Sequence, residues 1–166
     1  PPPWEIAQSF GDELEKAYLG TKLRAADVDV SSDIRMLYHD NTLKQICFVR
    51  KRLLSKVITE WTREELMIGG ALAGIMHGAW RRDDTSQYLS ISMPNTFSMS
   101  PNYVEKFIRE NDLQKIDQDV FNLLRNKLAR LYVDDISGTP GRAHHSDASD
   151  LLMGRSVKQN SVDLVV

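Results

Sequence analysis

The chain has 166 residues, of which 42% are apolar, 8% aromatic and 27% charged, the make-up of one ordinary globular domain rather than of a disordered, collagen-like or disulfide-built chain. Twenty-one Lys and Arg against 23 Asp and Glu leave a net charge of −2, which excludes a globally basic nucleic-acid binder. The pattern predicts a mostly α fold: a single-domain bundle of about five helices, with a short β-hairpin or edge strand as its alternative β content.

After Pro1-Pro2-Pro3, the positions Trp4, Ile6 or Ala7, Phe10, Leu14 and Ala17 or Tyr18 recur at helical spacing, and Gly20 stops the helix. Residues 21–33 lose the period and end at an N-cap. Ile34 to Tyr38 fits strand or helix, and His39-Asp40-Asn41-Thr42 reads as a turn, so a hairpin of 34–38 with 43–49 stays open. The better reading takes Leu43, Ile46, Cys47, Leu53, Leu54, Val57, Ile58 and Trp61 as one helical stripe over 43–61. Thr62 with Glu65 forms a capping box that starts a second helix over 62–80, carrying Leu66, Leu72, Ile75, Met76 and Trp80.

Gln87 to Met93 alternates weakly up to Pro94, as an edge strand or an extended loop. Ser100-Pro101 opens a short helix with Tyr103, Val104, Phe107 and Ile108, which breaks at Asn111-Asp112. Leu113, Ile116, Val120, Leu123, Leu124, Leu128 and Leu131 then form the longest stripe, a helix over 113–133. The helical domain is read as 1–136, followed by a flexible linker at 137–150 and a C-terminal tail at 151–166 with enough apolar residues to dock.

The longest uncharged apolar run, Leu66 to Trp80, has 15 residues, fewer than the roughly 20 that a spanning helix needs. The start has no basic region followed by an apolar core, unlike a signal peptide. The single Cys47 lies on an apolar stripe, as expected of a buried thiol in an intracellular protein, cytoplasmic or nuclear.

The charge is segregated. Residues 1–40 hold 4 basic and 8 acidic groups, 41–82 hold 8 and 3, 83–136 hold 6 and 9, and 137–166 hold 3 and 3. On the 43–61 helix, Lys44, Phe48, Lys51 and Arg52 share a face, flanked by Arg50 and Lys56, and Arg81 and Arg82 end the next helix. Cations around an aromatic ring suit single-stranded RNA or DNA. They suit equally an acidic protein or a peripheral contact with an anionic membrane, or they form a solvated face with Phe48 covered by a neighbouring element.

Gly70, Gly74 and Gly78 lie four apart. Each Gly costs a helix interior about 1 kcal/mol relative to Ala, so three on one face point to close packing, against the 113–133 helix or against a second copy of the chain, or to shallow membrane insertion.

No catalytic set is expected. The glycine segment lacks the Lys-Ser/Thr of a phosphate loop, His144-His145 with Asp147 and Asp150 is a polar stretch rather than a metal site, and no cofactor is implied. A small enzyme would have to assemble its site from His39, His77 and Asp134-Asp135. The expected function is therefore a non-enzymatic assembly or adaptor module working through protein contacts and self-association. Binding of single-stranded nucleic acid by the 44–56 face is the alternative.

Overall fold

Apart from the first, which follows Pro3 without a side-chain cap, the described helices begin where a polar side chain serves the free N–H groups of the first turn. The computed structural model describes residues 1–24, 28–78, 86–93 and 99–132. Among them run α1 (Trp4–Leu19), α2 (Ser32–Arg35), α3 (Asp40–Leu53), α4 (Arg63–Ala73), α5 (Pro101–Glu110) and α6 (Val120–Leu131), with a single 3₁₀ turn at Ile58–Glu60. Ser31, His39, Thr62, Ser100 and Asp119 accept backbone N–H groups at the starts of α2, α3, α4, α5 and α6. Residues 79–85 and 133–166 lie outside the described residues, and with them fall Trp80, Arg81, Arg82, Asp134-Asp135, His144-His145, the 137–150 linker and the 151–166 tail.

Helices α1, α3, α4 and α6 all pack on one another. Their shared interior holds Leu14, Leu43, Val49, Ile68, Phe121, Leu124 and Leu128. The start of α1 is tied to the end of α6: the Trp4 and Tyr132 rings meet edge-on at 5.3 Å, and the Tyr132 hydroxyl donates to the Pro2 carbonyl at 2.7 Å. Farther along, Arg125 of α6 reaches Glu15 at 2.6 Å and Asp12 at 3.6 Å on α1.

The hairpin of 34–38 with 43–49 does not form. Ser31 caps one turn of helix at α2, and His39, read as part of a turn, caps α3 through Nδ1, which accepts the Asn41 N–H at 3.3 Å. Tyr38 between them is fully buried and donates its hydroxyl to the Met76 carbonyl at 3.1 Å. Burial pushes this phenol far above its ordinary value, so it stays a neutral donor.

Three expected helices are shorter than their stripes. The 43–61 helix ends at Leu53, where the N–H and hydroxyl of Ser55 both donate to the Arg52 carbonyl, at 3.4 and 2.7 Å. The chain then turns so that Trp61 covers Gly69: a Cβ on Gly69 would stand 2.9 Å from the Trp61 ring. The 62–80 helix ends at Ala73, with Gly74 as its C-cap. The 113–133 helix starts only at Val120, because Asp112 takes the left-handed conformation (φ 46°) and residues 113–119 run without helix. That segment is latched to α3. The Thr42 hydroxyl donates to the Gln118 carbonyl at 2.7 Å and accepts its N–H at 3.0 Å, and the Gln45 side-chain carbonyl accepts the Val120 N–H at 2.7 Å.

The segment of Gln87–Met93 is a bent strap rather than an edge strand, with residues 87–90 a run of bends. Leu89, Ile91 and Met93 are buried, and the N–H groups of Leu89 and Ile91 donate to the carbonyls of Ile75 and Leu37, both at 2.9 Å. The bridge of Gly78 with Ser92 is isolated, and no sheet forms among the described residues.

The capping box at α4 forms as expected, with the Thr62 side chain accepting the Glu65 N–H and the Glu65 carboxylate accepting the Thr62 N–H. Burial pushes the Glu65 carboxyl up, but that N–H and the Lys56 ammonium 2.9 Å away outweigh it, and the group is held below its ordinary value. A depressed carboxyl stabilises the fold above its unfolded pKa, and this contribution is lost as pH falls through the lower folded value. Glu65→Gln keeps the acceptor but loses the charge. Its stability deficit in urea should be present at neutral pH and shrink as pH falls below the ordinary carboxylate range. A deficit independent of pH would assign the effect to shape alone.

Candidate contact surface

The last turn of α3 carries Arg50, Lys51 and Arg52, where cations complement the negative end of the helix dipole. Among the described residues none of the three lies within salt-bridge distance of a carboxylate. Two hollows flank this turn, and Arg50 and Leu54 line both of them.

The first hollow, of about 640 Å³, lies between α3 and the connection that follows α1. Leu23, Val28, Cys47 and Phe48 line it together with the three cations, and Asp29 contributes the one carboxylate among the described lining residues. Phe48 is half-buried, its ring edge-on to Tyr18 at 5.5 Å, and Tyr18 in turn lies 5.6 Å from Phe121 of α6. Phe48 therefore continues the core's aromatic packing while one side of it faces the hollow. Cys47 is half-buried. Burial pushes its thiol up against the opposing pull of Arg50 and Arg35, so it stays protonated and a poor nucleophile.

The second hollow, of about 430 Å³, is the groove between α3 and α4. Ile46, Leu53, Trp61, Gly69, Gly70, Ala73 and Met76 form its bed, and Leu54, Ile58 and Leu66 stand around it. Leu54, Val57, Ile58 and Leu66 are 57, 61, 63 and 49% exposed. All four belong to stripes that read as core in the sequence. They are left outside because α3 stops at Leu53 and the chain turns back at Trp61. The adjacent pairs Leu53-Leu54 and Val57-Ile58 were the available signal, since one narrow helix stripe cannot bury both members of such pairs.

The expected basic face is thus divided. Phe48, Arg50, Lys51 and Arg52 come together around the first hollow, Lys44 is not among its lining residues, and Lys56 is held by Glu65.

The glycine face is not formed. Gly70 lies in α4, Gly74 caps it and Gly78 lies beyond it, so the three share no helical face. A Cβ on Gly70 would meet nothing within 4 Å, one on Gly74 would meet the Lys127 side chain of α6 at 3.3 Å, and one on Gly78 would stand 2.5 Å from the Tyr88 ring. The close approaches are therefore at Gly78 and at Gly69, each against an aromatic ring.

Among the described residues no group of three His, Cys, Asp or Glu side chains is placed to hold a metal. His39 serves as a helix cap 3.2 Å from Asp117, and neither His39 nor His77 lines either hollow. No described helix is long and apolar enough to cross a membrane. Comparisons with protein-family models, with curated proteins and with solved structures find no match to this chain.

Proposed function

We propose that the protein is an assembly module that self-associates through the α3–α4 groove. The observation that carries this reading is the exposure of Leu54, Ile58 and Leu66 around an apolar hollow, with Val57 exposed in the same connection. Contiguous apolar surface of this kind marks interaction sites, whereas apolar residues scattered singly need no explanation.

A second copy fits because a two-fold axis lays the apolar groove of one chain on the same groove of the other, so that Leu54, Ile58 and Leu66 of each cover those of its partner. Such isologous pairing is the commonest way for soluble chains to associate.

Ile58→Asp should weaken association at least about tenfold by placing an unpaired charge in the covered groove. Light scattering at matched concentrations reads the result. Association unchanged in this variant would rule out the groove as the contact.

Nucleic acid is the less favoured occupant of the basic turn, since Phe48 is packed against Tyr18 rather than standing free to stack on a base.

A further inference from the structure

The first hollow has a chemistry different from that of the groove. Its walls are apolar, from Leu23 and Val28 on one side to Phe48 and Leu54 on the other. Its volume of about 640 Å³ falls within the roughly 300–1,000 Å³ of small-molecule sites. Three cations border it against one carboxylate among the described residues.

The two hydroxyls among its lining residues are already engaged. The Thr21 hydroxyl donates to the Tyr18 carbonyl at 2.8 Å and the Ser55 hydroxyl donates to the Arg52 carbonyl at 2.7 Å. The Arg50 carbonyl, too, is taken by the Leu54 N–H at 2.9 Å. A peptide laid along Leu23, Val28 and Phe48, away from the cations, would find neither hydroxyl free to serve its backbone carbonyls, which is costly where water is displaced. An unbranched hydrocarbon has no such need, and a single anionic end would meet guanidinium and ammonium groups at the rim.

We infer that this hollow binds a small anionic amphiphile, an apolar chain ending in a carboxylate or a phosphate, with the chain along Leu23, Val28 and Phe48 and the head between Lys51 and Arg52. Both of these cations line this hollow and not the α3–α4 groove, so the site is tested separately from self-association. Cys47, the chain's one cysteine, lies in its wall and reports occupancy.

The experiment uses the full chain with dodecanoate and dodecyl phosphate, each below its micelle-forming concentration. Calorimetry measures binding, and the rate of Cys47 reaction with 5,5′-dithiobis(2-nitrobenzoate) at mildly alkaline pH measures protection. Saturable binding of at least one anion that slows the thiol reaction is expected, and the tighter of the two identifies the head group. Lys51→Glu combined with Arg52→Glu, both on the exposed surface, should weaken that binding at least about tenfold. Dodecyltrimethylammonium should not protect Cys47. Failure of both anions to bind saturably, equal protection by the cationic amphiphile, or unchanged affinity in the charge-reversed variant would each overturn the assignment.

Discussion

Leu124→Ala is expected to cost about 2–5 kcal/mol of stability, the range for a buried leucine whose surroundings close only partly over the space it leaves. Leu124 is 2% exposed in the middle of α6, and α6 packs against α1, α3 and α4 at once. Three helices that also brace one another have little freedom to move inward, which favours the upper part of that range. Urea denaturation should show a lower midpoint at an unchanged slope, the sign of lost stability without a change in the surface exposed on unfolding. A loss below about 1 kcal/mol would mean that α6 is not central to the core.

Thr42→Val should have the second largest effect, about 2 kcal/mol, although it removes no apolar contact. Thr42 is fully buried and answers both backbone groups of Gln118 with a single hydroxyl. Valine has nearly the same shape and leaves the Gln118 carbonyl without that donor, while the Gln118 N–H keeps only the Ile116 carbonyl at 2.9 Å, and an unmade hydrogen bond in a buried setting costs more than a made one gains. Thr42→Ser keeps the hydroxyl and loses a methyl group, so its loss should be smaller. If serine and valine cost the same, the methyl group rather than the latch holds residues 113–119 to α3. Hydrogen exchange at Gln118 separates the two readings, since the amide is expected to be protected in the wild type and in Thr42→Ser and less protected in Thr42→Val, where only the Ile116 carbonyl still accepts it.

These two positions mark what the sequence showed and what it hid. Leu124 lies on a stripe of period 3.6, and such periodicity identifies the buried face of a helix without reference to the rest of the molecule. Local chemistry was as legible: the Thr62–Glu65 capping box, the Ser100-Pro101 start of α5 and the Gly20 end of α1 are where the sequence puts them. Thr42 was unreadable because its partner is 76 residues away. The same long-range latch replaces the first two turns of the expected 113–133 helix, and the burial of Trp61 on Gly69 replaces the last two turns of the expected 43–61 helix. Periodicity reports where a helix can run, but the end of a helix also depends on what the next segment must cover.

The candidate surface came from the same failure. Arg50, Lys51 and Arg52 were visible as a basic cluster, whereas the apolar groove beside them was hidden inside stripes that looked like core. Gly70, Gly74 and Gly78 misled in the opposite sense. Their spacing of four has meaning only within a continuous helix, and α4 ends before Gly74.

Sedimentation equilibrium on the full chain over a dilution series, compared with Ile58→Asp and Leu66→Asp, tests self-association through the α3–α4 groove most directly. Both side chains are exposed in the single chain, so a charge there should leave thermal unfolding of the monomer within about 0.5 kcal/mol of the wild type. The wild type should pass from monomer to dimer with rising concentration, and the variants should stay monomeric over the same range. A wild type that remains monomeric throughout, or variants that dimerise as it does, would contradict self-association through the groove.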